Sequence, residues 1–89
     1  MKIEWIKVDE PFEKLTMYDH KYTIIGSLGS TTLVESDVII SKYSDCMYIG
    51  DVVAIQGLVV SSESIEGLKD SVDKCVVAKV TFDMKNTES

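Results

Sequence analysis

The sequence predicts a small α+β protein, in which a β-rich antiparallel meander forms a partly closed barrel or a dimerising sheet, with one main helix at about 62–72. Short β-branched and aromatic runs between residues 38 and 60 are separated by the turn pairs Ser44-Asp45 and Gly50-Asp51, a pattern typical of strands. A helical stripe follows, and an alternating segment over residues 75–85 comes last. These three patterns favour a sheet with one helix packed on it.

Length and composition predict one globular domain. The chain has 89 residues, of which 45% are hydrophobic and 27% are charged. This is below the size at which chains divide into domains, and the composition is that of a folded protein rather than a disordered one. We expect a single α+β domain over residues 1–85, followed by a polar C-terminal tail over residues 86–89.

The N-terminal third contains two predicted strands separated by an ambiguous segment. Residues 2–8 and 22–27 are rich in β-branched and aromatic side chains, as strands are. Between them, Asp9-Glu10-Pro11 has the pattern of a helix start, because an acid at the N-cap precedes a proline in the first turn. The sequence predicts either a short helix near 10–17 or a structured loop there.

The glycine-containing segment Gly26–Ser30 is interpreted as a hairpin loop. A glycine-rich turn binds phosphate when it opens a helix. Here the residues that follow, 31–34, are largely β-branched, and the lysine of a phosphate-binding loop is missing. We therefore expect this loop to join two strands, and we expect a further strand over Asp37–Tyr43.

The central segment contains the strongest local turn signal, and it also sets the main requirement on how the faces of the sheet must be covered. Ile49-Gly50-Asp51-Val52 predicts a two-residue type II′ hairpin, with Ile49 opposite Val52. The run from Val52 to Val60 does not alternate, which predicts a strand covered on both faces, with a bulge or bend at Gln56-Gly57. Because one helix covers only part of one face, the sheet would have to curl into a barrel or pack on a second subunit.

The last third is predicted to contain the main helix and a final strand. Ser61-Ser62 is a plausible N-cap, and Ile65, Leu68 and Val72 follow at the spacing of one buried helical stripe. Residues 75–85 alternate, which predicts an amphipathic strand. Its apolar face would carry Val76, Ala78, Val80, Phe82 and Met84.

The charge balance argues against nucleic-acid binding and for a basic protein partner. Fifteen acids face nine basic residues, all of them lysine, for a net charge of −6. Phosphate recognition favours the guanidinium fork and needs a local positive excess, and neither is present in this arginine-free chain. An acidic surface attracts basic protein patches, and the alternative is a solvated face that keeps the protein in solution.

The residues that carry chemistry do not form a recognisable catalytic or metal motif. His20 is the only histidine, and its neighbour Asp19 would point to the opposite face of a strand. Cys46 and Cys75 lie 29 positions apart without a Cys-x-x-Cys pair; the sequence leaves a disulfide between them open, and reduced thiols are the default in the cytosol. We expect no enzyme activity, no cofactor and no metal.

The predicted location is the cytoplasm. No apolar run approaches the roughly 20 residues that a membrane-spanning helix needs. The N-terminal residues Met1-Lys2-Ile3-Glu4-Trp5 are charged and alternating, which is not the pattern of a signal peptide. We expect no membrane association. Small acidic chains of this kind are common among phage-encoded and regulatory proteins, which is an association and not a derivation.

Two groups of side chains are candidates for binding a partner. Tyrosines near turns are enriched at interfaces because they are apolar with a polar tip, and acids along one helix would present a negative surface. The candidates are Tyr18, Tyr22, Tyr43, Glu63, Glu66, Asp70 and Asp73. We expect a small acidic non-enzymatic protein-interaction module of the inhibitor or adaptor type, which also forms a homo-oligomer. The alternative is a homo-oligomeric small-ligand binder with pockets between subunits near Gly26–Ser30.

Overall fold

The computed structural model describes residues 1–8 and 20–87, which form one antiparallel sheet and one helix. The sheet has five strands in the order β1-β2-β3-β4-β5, so each strand pairs with its sequence neighbours. The elements are β1 (Lys2–Lys7), β2 (His20–Leu28), β3 (Thr31–Ser44), β4 (Met47–Val52), β5 (Val59–Ser62) and α1 (Ile65–Thr87). The prediction of an α+β meander is confirmed, and the predicted helix near 10–17 lies outside the described residues.

The sheet is open in the described part of the chain, with β1 and β5 at its two edges. One of its faces is covered by α1, which lies over β5, β4 and β3. The core is built from alternate residues of the central strands and a stripe of the helix, as the period of two in a strand requires. Its buried apolar members are Tyr22, Ile24, Val38, Ile40, Val52, Leu68, Val72 and Val76.

The β2–β3 connection is a tight hairpin, which confirms that the segment Gly26–Ser30 joins two strands, but its first three residues belong to β2 and the turn itself is Gly29-Ser30. Leu28 pairs with Thr31, and Gly29 between them has a φ of +63°. Glycine adopts this left-handed backbone without steric cost. The two strands predicted after the loop, 31–34 and 37–43, are a single strand of 14 residues.

The predicted hairpin at Gly50-Asp51 is wrong, because both residues lie inside β4. Gly50 pairs with Ile40 on one side and with Val60 on the other. A Cβ on Gly50 would meet Leu68 Cδ2 at 2.6 Å. The glycine therefore serves a close approach of α1 to the sheet rather than a turn, and the turn that precedes β4 contains Asp45.

The predicted two-sided strand from Val52 to Val60 is also wrong, since most of it is the loop between β4 and β5. The loop is anchored on β3: the Val53 N–H donates to Asp37 O at 3.0 Å, and the Ala54 N–H donates to the buried Ser36 Oγ at 2.9 Å. Irregular backbone with such partners keeps its hydrogen bonds satisfied. The loop therefore removes the requirement for cover on both faces.

Helix α1 begins later and ends later than predicted. Its N-cap is Ser64, whose Oγ accepts a hydrogen bond from the Gly67 N–H at 3.0 Å, whereas Ser62, the predicted cap, lies in β5 opposite Tyr48. The predicted strand over residues 75–85 is wrong, and the helix continues through residue 87. Val76 and Val80 extend the buried stripe at helical spacing, and adding residues to an existing helix costs far less than starting a new element.

The C-terminal end of α1 is exposed around its whole circumference. Val80 is the last residue of the helix that packs against the core, and every side chain from Thr81 to Asn86 is exposed. Lys79 and Asp83 lie seven residues after Val72 and Val76, on the same side of the helix, yet both are exposed and pair with each other at 3.2 Å. We call residues 81–87 the helix overhang.

Gly50→Ala is expected to lower the free energy of unfolding by about 1–3 kcal/mol, the usual cost of overpacking a filled core. The added methyl group would press on Leu68, which is fully buried. Denaturant unfolding of the purified protein measures the effect, and the exposed Ser61→Ala change on β5 is the control.

The same experiment includes a double-mutant test of the cause. In a Leu68→Ala background the cavity left by the side chain would accept the new methyl group, so Gly50→Ala should cost much less there. An equal cost of Gly50→Ala in both backgrounds would show that the Leu68 contact is not the reason for the glycine.

Candidate interaction surface

An aromatic and charged cluster attaches α1 to the first two strands. Trp5 Nε1 donates a hydrogen bond to Asp73 Oδ1 at 2.7 Å, and the Trp5 and Tyr22 rings meet edge to face with centroids 5.6 Å apart. Lys69 Nζ lies 4.2 Å from the centroid of the Tyr22 ring and 5.5 Å from that of Trp5. We call Trp5, Tyr22, Lys69 and Asp73 the ring junction. It combines a charge-assisted hydrogen bond with a cation–π contact.

The ring junction uses two of the predicted binding residues for internal contacts. Tyr22 is 9% exposed and belongs to the core. Asp73 is half-buried and accepts the Trp5 hydrogen bond. Neither side chain is free to reach a partner without breaking the contact between α1 and the sheet. Tyr18, a third predicted binding residue, lies outside the described residues.

Tyr43 and the acids that precede and begin α1 share one end of the molecule. Tyr43 is 73% exposed near the end of β3. The register pairs Lys42 with Tyr48 and Tyr48 with Ser62. The residues that come next on β3 and after β5, Tyr43 and Glu63, therefore lie about two strand spacings apart, roughly 10 Å.

The same end of the molecule carries further exposed side chains from the β3–β4 turn. Asp45 and Met47 are exposed there, and the exposed Glu66 lies in the first turn of α1, two residues after the Ser64 cap. We call Tyr43, Asp45, Met47, Glu63 and Glu66 the acidic end. Sequence reasoning missed Met47 as a candidate, although its position directly after the predicted turn at Ser44-Asp45 was a usable signal.

The negative charge of the acidic end is not neutralised by the lysines of α1. Lys69 is held over the rings of the ring junction. Lys74 pairs with Asp70 at 3.3 Å, which leaves Asp70 partly neutralised. Within residues 1–8 and 20–87, neither Glu63 nor Glu66 forms a salt bridge. Glu66 also lies at the positive end of the helix dipole, where a carboxylate is stabilised.

The sheet face that α1 does not cover is mixed in character. Ile25, Ile39 and Ile49 are half-buried on it. At its centre Thr23 Oγ1 donates to Asp37 Oδ1 at 3.1 Å, and Lys21 Nζ lies 3.8 Å from Asp37 Oδ2. Antiparallel sheets commonly leave such a face in water. The sheet therefore does not require a second subunit to cover it.

The structure offers little for catalysis or ligand binding among the residues it describes. His20 lies against the Tyr22 ring with centroids 6.2 Å apart, and Cys46 and Cys75 are free thiols. In residues 1–8 and 20–87, no three His, Cys, Asp or Glu side chains come together as a metal site. No helix of this part of the chain has the length and apolar character to cross a membrane.

A shallow depression lies on the surface of α1. It has a volume of about 340 Å³, and the described residues that line it are Asp73, Lys74, Val77 and Ala78. Its described lining is mainly apolar helix surface with no converging set of polar groups, which small-molecule sites normally have.

No family model, no curated protein and no solved structure matches this chain. A function for the protein therefore has to be argued from its own side chains.

Trp5→Phe is expected to lower the free energy of unfolding by about 1–3 kcal/mol, because the half-buried Asp73 carboxylate would lose its hydrogen-bond donor. Asp73→Asn keeps an acceptor oxygen at the same place and should cost less than Trp5→Phe. Urea unfolding followed by circular dichroism measures both, since Trp5 is the only tryptophan and its fluorescence is lost in the first variant. Equal costs for the two variants would contradict the assigned role of the hydrogen bond.

Proposed function

We propose that this protein is a non-enzymatic protein-interaction module of the inhibitor or adaptor type, which docks a basic surface of another protein through its acidic end. The observation that carries the proposal is that the exposed Tyr43 lies about two strand spacings from Glu63 at one end of the sheet, and that neither Glu63 nor Glu66 has a described salt bridge. These side chains stand next to regular elements, which makes them a pre-positioned surface rather than a mobile loop.

The chemistry of the acidic end suits lysine and arginine side chains. Carboxylates accept charge-assisted hydrogen bonds from both cations. An exposed tyrosine ring adds apolar contact area and a face for a cation, and Met47 adds an adaptable apolar contact. The net charge of −6 would also speed the approach of a basic partner.

The proposal includes no reaction, cofactor, metal, nucleic acid or membrane, and it locates the protein in the cytoplasm. What supports the exclusion of nucleic acid is that all nine basic residues are lysines scattered along the chain, without the local positive excess that phosphate binding needs. The free thiols Cys46 and Cys75 are typical of a reducing compartment.

We also propose that the chain self-associates. The original reason for this expectation was a strand covered on both faces, and that strand does not exist. The proposal is now supported by exposed apolar side chains on α1. The alternative function, small-ligand binding near Gly26–Ser30, stays a prediction that no observation on the described residues favours.

Neutralising the acidic end should weaken salt-sensitive capture of a basic protein. We expect a triple variant, Asp45→Asn with Glu63→Gln and Glu66→Gln, to weaken binding about tenfold, from roughly 0.5 kcal/mol for each exposed ion pair. The tagged protein is incubated with native lysate at low and high salt, and the retained proteins are quantified by mass spectrometry. The expected partner is a basic protein that high salt releases.

The matched control neutralises three exposed acids elsewhere, through Glu4→Gln, Glu35→Gln and Asp51→Asn. This control has the same net charge as the test variant and should retain the partner as the unmodified protein does. Tyr43→Ser tests the aromatic contribution and should also reduce capture. Equal losses in the test and control variants would mean that only net charge matters, and the acidic end would not be the docking surface.

A further inference from the structure

The outward side of α1 has no described partner and divides into two halves of opposite charge. Its N-terminal part carries two exposed acids, Glu66 and Asp70, and its C-terminal part carries two exposed lysines, Lys74 and Lys85, for formal charges of −2 and +2. Asp70 and Lys74 meet at the boundary and pair at 3.3 Å. The other charged residues of α1 do not lie on this side, because Lys69 and Asp73 are held at the ring junction and Lys79 and Asp83 share the side of Val72 and Val76.

Apolar side chains are exposed on the positive half of the helix. Val77 and Met84 are both exposed and lie seven residues apart, so they share one line along the outward side, and Asp70 continues this line toward the N-terminus. Phe82 is 60% exposed but lies two residues from Met84, and therefore on a different side of the helix. Met84 lies on the helix overhang, where every side chain from Thr81 to Asn86 is exposed.

We propose that the outward side of α1 pairs with the same side of α1 in a second copy, with the two helices antiparallel. An antiparallel arrangement brings the acidic half of each helix beside the lysine-bearing half of the other. A parallel arrangement would bring like charges together, which is unfavourable. Charge complementarity therefore favours a second copy of this chain as the partner of α1, and it favours the antiparallel arrangement of the two helices.

A two-fold axis through the middle of α1 would bring exposed apolar side chains of the two copies into contact. With the axis near Val77, the two Val77 side chains meet at the centre, next to the depression that Asp73, Lys74 and Ala78 line. Lys85 of one copy then lies within reach of Asp70 and Glu66 of the other, because residues at equal distances from the axis face each other. Contact between two single helices is smaller than a standard interface, so the dimer should be weak and concentration-dependent.

Self-pairing covers Glu66 and Asp70, and therefore competes with docking of a partner at the acidic end. The pairing specifies the proposed self-association and does not rest on the proposed docking of a basic partner, since the purified chain alone tests it. The two proposals can fail separately: a monomeric protein can still capture a basic partner, and a dimer can form without one.

The test uses two variants, and each variant reverses the charge of one half of the helix. Glu66→Lys with Asp70→Lys makes both halves positive, and Lys74→Glu with Lys85→Glu makes both halves negative. Each variant alone should dimerise about tenfold more weakly than the unmodified protein in sedimentation velocity. An equimolar mixture of the two should dimerise again, because each positive helix now meets a negative one.

Matched controls carry the same charge changes on the strands. Glu4→Lys with Glu35→Lys, and Lys2→Glu with Lys42→Glu, should leave the dimer of each variant unchanged. Val77→Ser, at an exposed position, should weaken the dimer with the fold intact by circular dichroism. An unmodified protein that stays monomeric at all concentrations would overturn the proposal, as would helix variants that associate like their controls.

Discussion

The close approach of Leu68 to Gly50 is the contact on which the rest of the structure depends. The open sheet has one helix to cover its core face, and three helix residues, Leu68, Val72 and Val76, are buried against it. At the centre of this contact the sheet offers a glycine instead of a side chain. Burying those apolar residues is the main source of stability in so small a chain.

The same contact determines which surfaces of α1 remain for other purposes. Once the buried stripe faces the sheet, Lys69 and Asp73 come to lie over β1 and β2, where the ring junction holds them. The acids on the opposite side of α1 stay exposed to water, and the nearest lysine, Lys69, is held over the Tyr22 ring. The acidic character of the helix start is therefore a consequence of packing as much as of composition.

The overall class of the fold could be predicted from local patterns, but the packing could not. Alternation and turn residues correctly indicated β1, β2 and the hairpin at Gly29. Gly50 has ideal turn chemistry, yet its role is set by Leu68, a residue 18 positions away in the sequence. Residues 75–85 satisfy both periods, because Val76 and Val80 fit an alternating strand and also the helical stripe. Tertiary contacts decided between these readings.

The candidate site, like the fold, could be predicted only in part from local sequence patterns. The exposure of Tyr43 follows from its position near a turn, which the sequence indicates. Tyr22 and Asp73 are occupied by internal contacts, and the hydrogen bond that Asp73 accepts comes from Trp5, 68 positions away in the sequence. No local sequence pattern predicts such a pair. Long-range contacts of this kind decide which acids of α1 remain available to another protein.

The proposed self-association and the proposed docking of a partner would compete for Glu66. The two-sided strand that first suggested self-association is a loop, and the exposed surface that now supports it is on the helix. Because Glu66 and Asp70 would face lysines of a second copy, a basic partner would have to displace that copy. Weak pairing would then make partner binding depend on protein concentration. At high concentration a second copy would cover the acidic surface, and at low concentration that surface would be accessible to a partner.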